Sequence, residues 1–598
     1  MTSRSIIQQA GGPRLSSTSA WTRVRDCLDY AGLCALAATC PQLAELLRQP
    51  SFWADYHCPE LDLTTMAQTE RFLALTGSAW SRARVRLARL YVAPAGLAPL
   101  ARWQFANLSV ESAVPRLIPE NWTDDGWTQA LAGVANTFPG VTDLDCSGIT
   151  QLEDAWLSQL SSLSHLRRLS LGNCRGLIGS GLGSLPRTLE HLEIANCENL
   201  TQGLGDLPPS LRHLSLNNCP QIGDTALAGL KESLASLRHL EIHRGTGLTD
   251  AGLGELPSRL QHLDLSHCSQ LTGEGLQSLP EGLQHLDLGW CSQVSTLFGL
   301  PPSLRYLDLT KCELLTDNEL GFLPANLLHL DLTGCFELTD GCFAYLSELS
   351  HLQHLSLAEC SRLEGKEGWS VPSRLQHLDL NHCLELTDNA LLHLKKLGEL
   401  QYLNLALCPK VTGQGLYNLP ASLQRLDLYG WEQPENVKLA GLGHLSSLRH
   451  LELSRCEKLT DDDLGGLPAQ LLHLVLSRCY ELTDEGLAKL PLNLQYLDLC
   501  SSGNFTDEGL RYLSNRKKLQ ELRLAGCDGL TDDGLGELKK LTELRNLHIS
   551  FCGKLTDECL QWLPPNLRYL RISNCQGLTK QGLRLLSLQR TNLEVVSL

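Results

Sequence analysis

Cysteine recurs along this chain at a regular spacing that suits either metal coordination or disulfide formation. Of the 23 cysteines, 15 occupy the same place in a segment that repeats from residue 141 onwards. No Cys-x-x-Cys pair occurs, so the chelating spacing of a structural zinc site is missing. We therefore expect these cysteines to be small buried residues whose S–H groups are weak donors to the backbone, as in a reducing compartment.

Imidazole, phenol and carboxylate side chains form two further rows in the same segment. With each copy numbered from its first apolar residue, the third position holds His191, His213, His239, His262, His285, Tyr306, His329, His354, His377, Tyr402, His450, His473, Tyr496 and Tyr569. The fifth position holds Glu193, Glu241, Asp264, Asp287, Asp308, Asp331, Asp379, Asp427, Glu452 and Asp498. Both positions flank one leucine, so the rows should lie side by side on one face of a sheet.

Three interpretations of these rows are open: a zinc site, a surface that recognises a basic protein, or ordinary solvated positions of a repeat. A regular row lacks the convergent geometry of a closed metal site, so we predict no metal and no cofactor. Aromatic and arginine residues are the best anchors for a protein partner. The candidates that flank the rows are Trp290, Tyr429, Trp431, Arg455, Arg478 and Phe551.

Catalytic signatures are missing from the sequence. It contains no G-x-S-x-G, H-E-x-x-H or phosphate-binding P-loop motif and no dinucleotide fingerprint in context, each of which places a nucleophile, a metal or a phosphate. We therefore predict that the chain is not an enzyme.

A short leucine pattern, L-x-x-L-x-L-x-x-C, positions all of these side chains. It recurs in 20 copies, 21 to 26 residues apart, whose first residues are 141, 166, 189, 211, 237, 260, 283, 304, 327, 352, 375, 400, 423, 448, 471, 494, 519, 544, 567 and 593. The alternating centre predicts a strand, and the period is that of a leucine-rich repeat. We predict an α/β solenoid, a curved horseshoe with parallel strands on its concave face and short helices or turns on its convex face.

The residue at the ninth position of the pattern indicates which kind of leucine-rich repeat this is. Cysteine fills it in 15 of the 20 copies, the exceptions being Ile149, Gly245, Trp431, Ser502 and a last copy that ends before reaching it. Residues 141–598 thus resemble the cysteine-containing leucine-rich-repeat subfamily that is familiar from F-box proteins.

The N-terminal part has a different composition, and residues 24–53 read as short amphipathic helices. Their order resembles the second half of an F-box, on the residues Leu28, Leu33, Leu36, Cys40, Phe52 and Trp53. The family's opening Leu-Pro-x-Glu is absent, and Leu43 stands where the family has tryptophan. The resemblance implies that these helices dock onto a Skp-type adaptor while the repeats hold a substrate.

Charge and composition divide the chain. Residues 1–105 carry 11 Arg and 7 Asp or Glu, a net of +4, so the total of −16 leaves −20 for the remainder. A body this acidic repels phosphate backbones and disfavours nucleic acid as a partner. No signal-like or membrane-spanning apolar run is present, so we expect no membrane partner and a cytoplasmic or nuclear location. The predicted domains are a disordered 1–19, an F-box-like 20–58, a connector 59–118 and a solenoid 119–598.

These observations favour a substrate receptor of a Skp–cullin–F-box type E3 ubiquitin ligase, with a protein target on the concave face. Two alternatives stay open. The N-terminal helices can instead cap the apolar end of an interaction scaffold, as terminal repeats require. The chain can also be a secreted, host-directed mimic from an intracellular bacterium. Several of its repeats contain Leu-Pro, as at Leu207-Pro208 and Leu467-Pro468, and this variant also occurs in bacterial repeat proteins.

Overall fold

The computed structural model describes residues 140–597 apart from 149, 151, 367–368, 432–438 and 503–504, together with three strands nearer the N-terminus. The chain divides into two compact units, residues 1–291 and 292–598, and each is built in the same way. The predicted N-terminal segment 1–19 and the F-box-like unit 20–58 lie outside the described residues.

The described residues of the first unit include ten strands that run parallel to one another. Three precede the leucine pattern, within the segment predicted as a connector: β1 (Leu61–Asp62), β2 (Arg84–Ala88) and β3 (Asn107–Glu111). The other seven lie in the repeats: β4 (Asp143–Asp145), β5 (Arg168–Ser170), β6 (His191–Glu193), β7 (His213–Ser215), β8 (His239–Glu241), β9 (His262–Asp264) and β10 (His285–Asp287). Strand β3 pairs with β4 in parallel, so the ladder of this unit extends N-terminal to residue 141.

The described part of the second unit includes thirteen strands, also parallel. They are β11 (Tyr306–Asp308), β12 (His329–Asp331), β13 (His354–Ser356), β14 (His377–Asp379), β15 (Tyr402–Asn404), β16 (Arg425–Asp427), β17 (His450–Glu452), β18 (His473–Val475), β19 (Tyr496–Asp498), β20 (Glu521–Arg523), β21 (Asn546–Ser550), β22 (Tyr569–Ser573) and β23 (Glu594–Ser597). Together with β4–β10 these are the twenty predicted strands, so the predicted parallel arrangement is confirmed.

Short helices connect most of the described repeat strands to the next one along the chain. In the first unit the α-helices are Asp154–Leu157, Asp224–Leu227 and Leu230–Ser233, and the 3-10 helices are Ser158–Ser162, Leu182–Ser184, Leu204–Asp206, Asp250–Glu255 and Leu276–Ser278. In the second unit the α-helices are Phe343–Leu346, Asp388–Leu394, Gly413–Leu416, Asp461–Leu464, Asp484–Lys489, Asp507–Leu513, Asp532–Glu537 and Lys580–Gln589. Its 3-10 helices are Asp317–Phe322, Asp340–Cys342, Leu439–Leu442, Leu538–Lys540 and Asp557–Trp562.

Leucine and cysteine side chains fill the interior between strands and helices. The leucines of the pattern are buried throughout the described repeats, as Leu263, Leu265 and Leu474 illustrate. Stacked copies bury these side chains jointly, because one three-residue strand cannot cover its own apolar face.

Most of the buried ninth-position cysteines link their repeat to the one before it. The Cys268 thiol donates to the carbonyl of Ile242 at 3.2 Å, and the Cys479 thiol donates to that of Leu453 at 3.2 Å. Burial raises the pKa of the Cys268 thiol to about 12, so the group stays protonated and able to donate. The prediction that these cysteines are structural donors is confirmed at these positions.

A second link between repeats joins the return segments. The aspartate that opens one helix accepts hydrogen bonds from the backbone N–H and the hydroxyl of the threonine that caps the next helix; Asp484 accepts both from Thr506, at 2.9 and 2.6 Å. The same pair of bonds joins Asp224 to Thr249, Asp250 to Thr272, Asp317 to Thr339, Asp388 to Thr412, Asp461 to Thr483, Asp507 to Thr531, Asp532 to Thr556 and Asp557 to Thr579.

The hydrogen bonds between aspartate and threonine explain why glycine often ends the recurring Thr-Asp-x-Gly segment. A Cβ on Gly509 would lie 2.4 Å from Oδ1 of Asp484, and one on Gly534 would lie 2.1 Å from Oδ1 of Asp507. At these two positions the close approach of the preceding aspartate requires a residue without a side chain.

We expect Asp484→Ala to destabilise the second unit by about 1–3 kcal/mol, because both donors of Thr506 lose their acceptor. The adjacent exposed Glu485→Ala is the matched control and should change the free energy of unfolding by less than about 0.5 kcal/mol. Urea unfolding followed by circular dichroism measures the difference. Equal midpoints for the two variants would contradict the role given to the aspartate.

Candidate functional site

The candidate site is the strand face, defined as the surface formed by the third- and fifth-position side chains of the repeats. In strands such as β9 and β10 the central leucine is buried, whereas the residues on either side are partly exposed. Neighbouring strands pair third position to third position, as His285 with His262. The two predicted rows therefore exist as columns running across the strands of each unit.

In the first unit five imidazoles stack into one continuous column. Ring centroids of His191, His213, His239, His262 and His285 are separated in turn by 4.0, 4.1, 3.8 and 3.9 Å, with interplanar angles of 7°, 19°, 6° and 17°. The parallel-strand spacing of roughly 4.8 Å brings such rings into contact once they tilt slightly.

In the second unit the column mixes imidazole, phenol and guanidinium groups. Tyr306 stacks on His329 at 4.4 Å, and His377 stacks on Tyr402 at 4.1 Å. The guanidinium carbon of Arg425 lies 5.5 Å from the Tyr402 ring centroid, within the range of a cation–π contact.

Burial keeps these imidazoles neutral. It lowers the pKa of His329 and lowers that of His377 to about 4, and His354 adds a like-charge contribution to both shifts. At pH 7 the column thus presents stacked apolar rings with polar edges.

The carboxylates of the fifth position serve the fold as well as the surface. Asp264, Asp331 and Asp379 each accept a hydrogen bond at 2.8 Å from the backbone N–H two residues further along, which fixes the turn that ends the strand. Asp287 and Asp308 make the same contact at 2.7 and 2.8 Å. The acidic row is therefore anchored, and its charge is held in place beside the ring column.

A shallow pocket of about 200 Å³ interrupts the strand face of the second unit. Val475 replaces the carboxylate at the fifth position of β18 and leaves room beside the longer side chains of neighbouring strands. Its polar and aromatic lining consists of Arg425, His450, Glu452, His473 and Tyr496. Beyond Tyr496, the Arg523 guanidinium carbon lies 5.3 Å from its ring centroid. The Arg523 guanidinium is also ion-paired with Glu521 at 2.8 Å and with Asp498 at 3.7 Å. Groups of both charges therefore surround the apolar floor of this pocket.

A third row lies at the eighth position, directly before the buried cysteine slot. Every described non-glycine residue with positive φ occupies this position, with φ between 53° and 64°. Four of the predicted anchors belong to it: Trp290, Arg455, Arg478 and Phe551. Trp290 and Phe551 are 51% and 58% exposed, and Trp290 stacks on His267 at 5.3 Å. The place of this row could be read from the sequence, because its residues always precede the ninth position. Its left-handed backbone could not, because leucine periodicity does not reveal the sign of φ.

Tyr429 occupies the seventh position beside this row, and its hydroxyl accepts a hydrogen bond from Arg455 at 3.1 Å. Trp431 behaves differently, and the prediction that it lies on the binding face is wrong. It is 0% exposed, and its indole N–H donates to the carbonyl of Val411 at 2.7 Å. Trp431 fills the ninth position, so it replaces a buried cysteine.

Metal ligands converge at one place among the described residues, formed by His213, His239 and Glu241. The expectation that a regular row has no convergent geometry therefore does not hold there. The predicted adaptor-binding residues Leu28, Leu33, Leu36, Cys40, Phe52 and Trp53 lie outside the described residues.

Comparison with known proteins agrees with this architecture. The family model described as Leucine Rich repeat matches residues 259–279, 444–467 and 517–539. The chain carries leucine-rich repeats. Their fold, a leucine-rich-repeat solenoid, is typical of binding scaffolds with extended surfaces. No curated protein matches the sequence.

Two solved structures are similar to this solenoid. The crystal structure of a TLR13–ssRNA13 complex is 21% identical with a TM-score of 0.49, over 83% of this chain and 66% of that one. The crystal structure of the Rad7 and Elc1 complex in yeast is 17% identical with a TM-score of 0.30, over 62% of this chain and 88% of that one. This chain thus spans just under two thirds of the first of these proteins. Within the described residues, no helix has the length and apolarity needed to cross a lipid bilayer.

We expect acidification to destabilise the second unit partly through His377. Its pKa is about 4 in the fold and about 6.5 when unfolded, so between these values the unfolded chain binds more protons and stability falls as pH falls. The charged or titratable groups that act on it are His354, His329, Arg425 and Asp331.

His377→Gln removes this contribution. The melting temperature of the variant, measured relative to that of the unsubstituted protein, should therefore rise as the pH is lowered from 7 to 5. His165→Gln is the control, because that side chain is exposed. Melting curves at both pH values decide the matter, and parallel behaviour of the two variants would refute the assignment.

The burial of Trp431 predicts a large loss of stability on truncation. Trp431→Ala should cost about 3–5 kcal/mol, the range for a large buried side chain, and the exposed Trp290→Ala should cost less than about 0.5 kcal/mol. Urea unfolding midpoints compare the two. A Trp431→Ala variant as stable as Trp290→Ala would contradict the interior position.

Proposed function

We propose that this protein is a non-catalytic recognition subunit whose strand face binds a protein target. The observation that carries the proposal is the continuity of the ring columns beside anchored carboxylates, with one differentiated pocket at Arg425, Val475 and Tyr496. Such a face offers apolar ring area, hydrogen-bonding edges and fixed negative charge, which suits a partner with exposed basic and aromatic side chains.

Charge supports a protein partner over nucleic acid. Residues 106–598 carry a net charge of −20, and Asp264, Asp331 and Asp379 hold carboxylates in fixed positions on the strand face itself. A phosphate backbone brought to this face would be repelled along its length.

The anchors for such a partner are concentrated where arginine and tyrosine meet. Arg425 lies over Tyr402, and Arg523 lies over Tyr496, on either side of the pocket. Both residue types dominate interface energetics because they combine large contact area with directed hydrogen bonds.

We further propose that the protein acts as the substrate receptor of a Skp–cullin–F-box type E3 ubiquitin ligase. Support comes from the resemblance of Leu28, Leu33, Leu36, Cys40, Phe52 and Trp53 to an F-box, followed by the cysteine-type repeats. The N-terminal helices would then bind the adaptor and the strand face would hold the target. The alternative is a scaffold in which those helices only cap the apolar end of the solenoid.

Binding of the adaptor is tested by calorimetry, with the full chain and a purified Skp-type adaptor. We expect binding that Trp53→Ala weakens by at least about tenfold, since an aromatic anchor typically contributes more than 1 kcal/mol, and that Trp290→Ala leaves unchanged. If the unsubstituted chain fails to bind at tens of micromolar, the ligase proposal falls and the scaffold alternative stands.

The strand face is tested with a displayed library of linear peptides. We expect the selected peptides to be cationic and rich in aromatic residues, and Tyr496→Ala to weaken them at least about tenfold. Tyr417→Ala is the matched control, because that tyrosine is 50% exposed and follows the return helix Gly413–Leu416. Peptides that lose affinity for the Tyr417 variant instead would place recognition on the helical side.

A further inference from the structure

Two histidines and one glutamate approach one another on the strand face of the first unit. His213 lies on β7, and His239 and Glu241 lie on β8. One potential ligand atom from each residue lies within 4.8 Å of the other two. All three side chains are partly buried, so an ion held there would be shielded from bulk water on its protein side.

The parallel register explains why these three side chains meet. His213 pairs with His239 across the two strands, and their rings stack at 4.1 Å with an interplanar angle of 19°. His239 and Glu241 are two residues apart, so they share one face of β8. Nε2 of His239 and Oε1 of Glu241 are 2.7 Å apart.

Neighbouring groups hold the three side chains in place. The Asn217 amide donates to Oε2 of Glu241 at 3.2 Å and to the hydroxyl of Ser215 at 2.8 Å. His191 stacks on the outer side of His213 and His262 on the outer side of His239, at 4.0 and 3.8 Å. Outer contacts of this kind orient metal ligands and tune their affinity.

We propose that His213, His239 and Glu241 bind one divalent transition-metal ion of the zinc class. Two imidazoles and one carboxylate form a ligand set that such ions favour, and three protein ligands leave a position for water or for a group of a bound partner. Binding would replace the proton that His239 shares with Glu241. This proposal does not depend on the proposed function, because metal binding can be measured without any protein partner.

The second unit offers a matched comparison. His450 and His473 stack at 4.1 Å on β17 and β18, as His213 and His239 do. There, however, Glu452 accepts a hydrogen bond at 2.7 Å from the backbone N–H of Ser454, and no group of three ligands converges among the described residues of that unit. Stacked histidines alone are therefore not enough for the proposed site.

The experiment titrates Zn²⁺ and, separately, Co²⁺ into the metal-free full chain. We expect one equivalent of Zn²⁺ to bind to this site, and His213→Gln, His239→Gln and Glu241→Gln each to weaken it by at least about 10–100-fold. His450→Gln should bind as the unsubstituted chain does. The Co²⁺ complex should show ligand-field absorption typical of nitrogen and oxygen ligands. Circular dichroism checks that each variant is folded.

Three results would overturn the proposal. The first is the absence of binding by the unsubstituted chain at hundreds of micromolar Zn²⁺. The second is binding that none of the three substitutions weakens. The third is a Co²⁺ spectrum dominated by thiolate charge-transfer bands, which would place the ion on cysteine. The first and third depend only on the unsubstituted protein, so they stay decisive even if a variant fails to fold.

Discussion

Hydrogen bonds between consecutive repeats are the constraint on which the rest of each unit depends. A three-residue strand and a helix of one or two turns have too little apolar area to be stable alone, so each copy needs its neighbour. The cysteine thiol supplies one link in the interior, as in Cys479 to Leu453. The aspartate–threonine pair supplies another beside the helices, as in Asp484 to Thr506. Together they fix the stacking of successive copies from both sides of the leucine core.

That fixed stacking produces the chemistry of the strand face. Side chains at equal positions are brought to almost one strand spacing, so imidazoles and phenols stack and lose part of their hydration. The lowered pKa of His377 follows from this burial. The same stacking aligns carboxylates of like charge. The repulsion is offset by hydrogen bonds that Asp264, Asp331 and Asp379 each accept from the backbone N–H two residues further along. Departures from the pattern, such as Val475, are where a pocket forms.

Much of this arrangement could be predicted because the repeat imposes it. The leucine period predicted where the twenty strands lie, although most of them end two residues before the alternating stretch does. The burial of Cys268 and Cys479 followed from their regular spacing. The prediction for Trp431 was wrong because the size of its side chain suggested a binding anchor. Its ninth position in the repeat already indicated an interior location. The convergence of His213, His239 and Glu241 was missed because row positions do not show how far a glutamate reaches. Glutamate has one methylene more than the aspartates of β9 and β10, and at Glu241 this extends the carboxylate to the ring of His239.

The residue with left-handed backbone before each cysteine slot can vary in side chain without changing the packing of the core. Its backbone conformation is set by the repeat, yet its side chain lies outside the core, and the row contains asparagine, arginine, histidine, tryptophan, leucine and phenylalanine. The described row has no valine, isoleucine or threonine, the side chains that this conformation tolerates least. Positions such as Arg455, Arg478 and Phe551 can therefore diversify in charge and shape while the interior stays unchanged, which makes them the natural starting points for altering the binding preference of such a solenoid by design.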